Sequence, residues 1–198
     1  MYYDRYNEER EALKNLMTHA EIYAKQTMNR SGAVPATLFM QGEAGPVMFV
    51  APRMPDERSK DAFATAAKLM CVAHGATATV FVGEGWSRFA KPGEPLDATK
   101  MPSQCADRQE ILMLMGETRH ECNPKLMPII RSDSGKFLGF GEAHETKADH
   151  MEGRFAQFLP VDYPDLETQR AAKEALHLAA KGKHRGRDRG RERGFAMD

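Results

Sequence analysis

Apolar residues recur at three- and four-residue steps over residues 5–29, at Leu13, Leu16, Met17, Ala20, Tyr23, Ala24 and Met28. The spacing predicts an amphipathic helix with one buried stripe. Glu8, Glu9 and Glu11 sit in its first turns, where negative charge suits the helix dipole, and Gly32 is the stop signal. Two short apolar runs follow, 36–41 and 46–51, around Gly42-Glu43-Ala44-Gly45, which reads as a hairpin. Pro52 and Pro55 break the second run. Residues 56–74 then predict a second helix, with Ala62, Phe63, Ala66, Ala67, Leu69, Met70 and Ala73 inward and Gly75 ending it.

Residues 76–82 carry small and β-branched side chains into Val80-Phe81-Val82 and predict a buried strand. A loop of about twenty residues, Gly83 to Ala106, is expected next, and long loops in compact domains are often functional. Residues 109–115 predict another interior strand, and 126–131 with 136–140 a last hairpin turned at Ser132-Asp133-Ser134-Gly135. The pattern is ambiguous over 142–160. A final helix is expected over 164–180, capped by Asp162 or Asp165 and ended by Gly182. The class is therefore α+β, in the order α-β-β-α-β-β-β-α. A mixed, mostly antiparallel sheet of about five strands is expected, with helices mainly on one face. The crossover through helix 56–74 should bring its flanking strands parallel.

Length changes this picture little: 198 residues suit one domain over 1–180, with residues 181–198 as a tail. Charge changes it more. The chain holds 28 Lys/Arg and 28 Asp/Glu, yet residues 181–198 hold seven basic and three acidic residues, leaving 21 basic and 25 acidic in the body. Body and tail are of opposite sign. No run of eighteen apolar residues is present, so no membrane partner is expected. The charged N-terminus and the three irregularly spaced cysteines, Cys71, Cys105 and Cys122, fit a reduced, cytoplasmic setting. The 13 methionines are expected to fill core gaps.

Candidate chemistry centres on Glu84 and Trp86 at the end of one strand, Asp107, Arg108 and Glu110 at the start of the next, and Glu117 at its far end. If the two strands pair antiparallel, Glu84 and Trp86 lie close to Asp107–Glu110. Carboxylates beside an arginine can hold a cation or act as acid and base. The plainer account, a salt-bridged rim anchoring the long loop under a half-buried Trp86, weighs more. His120 and Cys122, and the group Glu142, His144, Glu145, Asp149 and His150, lack the paired spacing of a metal site, so no metal or other cofactor is expected. Cys71 reads as an inert thiol within a helix, and Cys105 as a better exposed one without an assigned histidine. Glu145-Thr146-Lys147 matches a nuclease pattern superficially, without the strand to hold it. Gly83-Glu84-Gly85 fails as a phosphate loop because no glycine opens a following helix.

The tail is the most specific feature. Lys181, Lys183, Arg185, Arg187, Arg189, Arg191 and Arg193, alternating with glycine and acids, form a low-complexity run expected to be disordered. Arginine forks bind phosphates, and Arg/Gly segments associate with single-stranded nucleic acid. A solubilising extension, or a partner for the acidic body, competes with that reading.

The stretches His74-Gly75-Ala76, Val80 to Trp86 and Pro102 to Glu110 carry a resemblance. Over residues 35–141 the chain resembles a family of uncharacterised α+β proteins of bacteria and their phages. Its pattern is His-Gly-Ala, then Ser-Glu-Ala-Trp, then Pro-Ser before Asp-Arg-x-Glu. Glu84, Trp86, Pro102, Ser103, Asp107, Arg108 and Glu110 match, while Gly83 and Gly85 replace the serine and alanine. The resemblance implies the α+β fold and a mobile-element setting, with no known activity. Three expectations result. The leading one is a non-enzymatic accessory protein that binds a macromolecule, with weak nucleic-acid contact at the tail and a protein partner at loop 83–108. The alternatives are a metal-dependent hydrolase using Glu84, Asp107, Glu110 and Glu117, and a self-associating subunit.

Overall fold

The computed structural model describes residues 2–89, 99–146 and 153–191, with side chains over 4–89, 99–146 and 153–181. Helix α1 spans Tyr2–Ser31 and buries Leu13, Leu16, Ala20, Ala24 and Met28, the stripe that the spacing predicts. It ends where Gly32 turns into the left-handed region at φ 73°. Strands β1 (Thr37–Gly42) and β2 (Gly45–Val50) form a two-residue hairpin with Gly42 opposite Gly45. Helix α2 (Glu57–Ala73) is started by a reciprocal cap. Asp56 accepts from the Ser59 N–H at 2.7 Å, while the Ser59 hydroxyl accepts from the Asp56 N–H at 3.2 Å.

The sheet continues through β3 (Ala78–Ser87), β4 (Gln109–Glu117), β5 (Cys122–Arg131) and β6 (Phe137–Phe140), with a 3-10 turn at Pro102–Gln104. A two-residue strand β7 (His144–Glu145) pairs with β5. The path is β2-β1-β3-β4-β5-β6, and every pairing is antiparallel. The α+β class therefore stands, but the expected mixed sheet of about five strands gives way to an antiparallel one of six and a short seventh. The reason is β1. It enters between β2 and β3, so those two strands point the same way without touching.

The helices also lie on both faces and not mainly on one. The α1 stripe packs on Phe39, Val80, Val82, Leu112 and Leu114. Helix α2 brings Phe63, Ala67 and Cys71 against Leu38, Met40 and Phe81 on the opposite face, where Phe158 joins them. Consecutive residues 38–40 and 80–82 are all buried, and a strand apolar on both sides requires cover on both sides. Helix α3 (Leu166–Arg191) packs on α2. Asp165 caps it by accepting from the Thr168 N–H at 2.7 Å. The helix continues past Gly182, where the sequence pattern ends it, through five of the seven tail cations. Residues 192–198, with Arg193, lie outside the described residues.

Candidate functional site

The antiparallel β3–β4 register places Glu84 opposite Leu112 and Trp86 opposite Glu110. Side chains alternate along a strand, so Val80, Val82, Glu84 and Trp86 share the α1 face of the sheet with Leu112 and Glu110. Glu84 and Trp86 belong to the strand and not to a loop after it. Gly83 and Gly85 are expected in the long loop, yet they stand in β3 where a Cβ would meet the Phe81 ring at 2.9 Å and the Met113 Cε at 3.1 Å. The glycines make room over the strand for those side chains.

Each acid at this end of the sheet is engaged. Glu84 Oε1 accepts from the Val34 N–H at 2.5 Å. Glu110 takes a two-pronged bond from Arg131, Nε to Oε2 at 2.7 Å and Nη2 to Oε1 at 2.8 Å, while Arg131 Nη1 donates to the Gly32 carbonyl at 3.1 Å. Together these contacts hold the chain leaving α1 onto the sheet. Burial pushes the Glu84 carboxyl above its ordinary range, with Glu110 adding to the push and the Val34 N–H opposing it. Asp107 pairs with Arg88 at 2.8 Å. Arg108 Nη1 donates to the Ser103 carbonyl at 2.7 Å, and its guanidinium lies over the Trp86 ring, 4.8 Å from the centroid. Trp86 itself is 46% exposed.

Glu117 does not join them. It faces the α2 side, opposite Thr79, at the other end of β4, and is 4% exposed. Its Oε1 accepts from the N–H groups of Phe158 at 2.6 Å and Leu159 at 3.1 Å, and its Oε2 from that of Gln157 at 2.8 Å. The Thr79 hydroxyl donates to the same Oε1 at 3.3 Å. The carboxylate thus fixes a loop whose Gln157 sits at φ 56°. Nearby, burial and then the Glu117 charge push the Cys71 thiol far above its ordinary value, which keeps it inert.

The remaining candidates separate as well. Among the described residues no three of His, Cys, Asp or Glu are placed to hold a metal ion. His144 stacks on Phe89 at 4.3 Å, and Glu145 pairs with Lys125 at 2.8 Å. Lys147, Asp149 and His150, and residues 90–98 of the long loop, lie outside the described residues. Cys105 is buried, not exposed, and its thiol donates to the Met101 carbonyl at 3.5 Å. Of the tail, the backbone of Lys183, Arg185, Arg187, Arg189 and Arg191 prolongs α3 beyond Lys181.

Two features escaped the sequence pattern. Glu9 is 2% exposed, accepts from the Tyr163 hydroxyl and lies 3.5 Å from Arg119 Nη1. Arg119 in turn donates to the Ala76 carbonyl at 3.0 Å and stacks on Tyr163 at 3.9 Å. This buried pair ties α1 to the β4–β5 turn and to the start of α3. The signal was present: position 9 precedes Leu13, Leu16 and Ala20 on the buried stripe. The second feature is a cleft of about 840 Å³ between α1 and β5, lined by Arg10, Lys14, Glu21, Glu121, Asn123 and Lys125. Its charges neutralise each other, Lys125 with Glu21 at 2.8 Å and Arg10 with Glu121 at 3.5 Å.

No protein-family model, no curated protein and no solved structure matches the chain.

Proposed function

We propose that this chain is a non-enzymatic accessory protein that binds a macromolecule, with nucleic acid held weakly through the basic end of α3. The mobile-element setting implied by the resemblance belongs to the same proposal. One observation carries it: each acid of the candidate cluster is engaged in holding the fold, while seven cations crowd the last eighteen residues. Glu84, Asp107 and Glu110 answer to a backbone N–H, Arg88 and Arg131 respectively, and Glu117 lies on the other face of the sheet. A hydrolytic pair needs a carboxylate free to take or give a proton, or several free to hold a cation. The basic run has the opposite property. Its guanidinium and ammonium groups are of the type that neutralises phosphates, at a spacing that cannot form a core. The body carries net negative charge, so long-range attraction to a polyanion has to come from this end of the chain.

The test is fluorescence anisotropy of labelled single- and double-stranded DNA and RNA. The full chain is compared with a full-length variant in which Lys181, Lys183, Arg185, Arg187, Arg189, Arg191 and Arg193 are replaced by glutamine. Binding by the native chain and its loss in the variant support the reading. Equal binding by both, or binding by neither at low salt, overturns it.

A further inference from the structure

We infer that Trp86 and Arg108 form a stacking site for an unpaired base of a single-stranded nucleic acid, an inference that rests on the nucleic-acid reading above. Trp86 is the one tryptophan of the chain. It stands on the α1 face of β3, four residues beyond Val82, which the α1 stripe covers. Nearly half of its surface is open, whereas the other apolar residues of that strand face, Ala78, Val80 and Val82, are fully buried. A core tryptophan would be covered, and a residue selected only for a polar strand end would not be an indole.

The electrostatics around it leave one cation over. Asp107 is matched by Arg88, Glu110 by Arg131, and Glu84 is turned inward onto the Val34 N–H. Among the described residues Arg108 has no carboxylate partner. It is also not free to swing. The Ser103 carbonyl at 2.7 Å holds the guanidinium over the indole, so the cation is positioned before any ligand arrives. The half-exposed indole offers a base the part of its π-surface that Arg108 leaves open, and the guanidinium fixed over the ring can bridge a base edge or the adjoining phosphate. Stacking needs an unpaired base, which is why a single strand and not a duplex is the ligand. The basic end of α3 contributes phosphate contacts, and Trp86 with Arg108 contributes the base contact.

Because the chain has a single tryptophan, its emission reports this site alone. The full-length protein is titrated with a fluorescein-labelled single-stranded thymidine oligonucleotide, following label anisotropy and, with unlabelled strand, tryptophan emission. The inference expects both signals to saturate together, with marked quenching. Trp86→Ala should weaken binding about tenfold, within the range of one base–aromatic stack, and Trp86→Phe should restore most of it. Arg108→Gln should weaken binding several-fold while quenching persists. If anisotropy rises with emission unchanged and Trp86→Ala binding like the native chain, the stacking site is wrong and the basic-tail reading stands. If anisotropy does not rise at all, both are wrong.

Discussion

Removing the Glu117 side chain should be among the most damaging single changes in the protein. Its carboxylate accepts three consecutive backbone N–H groups, of Gln157, Phe158 and Leu159, at 2.6 to 3.1 Å. Phe158 is fully buried against Phe81, so its N–H has no route to solvent. A buried donor left unmet costs about 1–3 kcal/mol, and bonds to a charged acceptor lie toward the upper end. The N–H groups of Gln157 and Leu159 are less deeply placed and recover part of that loss in water. Glu117→Ala should therefore destabilise by about 4 kcal/mol, or roughly 10 °C in melting temperature for a chain of this size. Glu117→Gln keeps one acceptor oxygen but turns an amide N–H₂ toward the other donor, so its loss should be smaller, about 1–2 kcal/mol. Urea unfolding followed by circular dichroism measures both. Amide exchange should localise the loosening to residues 157–159. An alanine variant within about 1 kcal/mol of the native protein would refute the reasoning, because the loop would then be held without Glu117.

Two further outcomes follow from the same geometry. Burial raises the Glu84 pKa above 4.5, so the folded chain holds this proton more tightly than the unfolded chain. That contribution is complete below the unfolded pKa and is lost as pH rises through the folded value. Glu84→Gln, which still accepts from Val34, should thus melt higher than the native chain at pH 7 and equally near pH 3; a lower melting temperature at pH 7 would show that the charge is needed. Gly42→Ala would place its Cβ 2.8 Å from the His74 carbonyl oxygen and 3.1 Å from the His74 Cβ, forcing the β1–β2 hairpin from the end of α2. A loss of about 1–3 kcal/mol by urea unfolding is expected, whereas Gly139→Ala, with no atom within 4 Å, should change stability by less than about 0.5 kcal/mol.

Much of the architecture was legible where one local rule decided the outcome. The α1 stripe, the hairpin at Gly42 to Gly45 and Gly75 at φ 57° all follow from patterns within a few residues. So did the neighbourhood of Trp86 and Glu110, once two antiparallel strands were assumed. What failed depends on contacts distant in sequence. Gly83 and Gly85 look like the start of a loop until Phe81 and Met113 are seen lying over them. Helices were expected mainly on one face, whereas the runs at 38–40 and 80–82 are covered by α1 on one side and α2 on the other, partners distant in sequence. Glu117 separates from Glu110 because seven residues of strand reverse the face, a parity that depends on knowing where β4 starts and ends. Glu9 was read as a helix-dipole residue, and its burial is explained by Arg119 and Tyr163, more than a hundred residues away.

The most direct test of the account is the salt dependence of binding to a single-stranded oligonucleotide by the full chain. Counterion release sets the slope of log affinity against log salt at about −0.7 for each phosphate neutralised on a single strand. Seven cations offset in part by Asp188 and Glu192 should give a slope between about −2 and −5, falling close to zero when the seven are replaced by glutamine. A slope unchanged by that replacement would contradict the account, because the charge that holds the polyanion would then lie on the folded body.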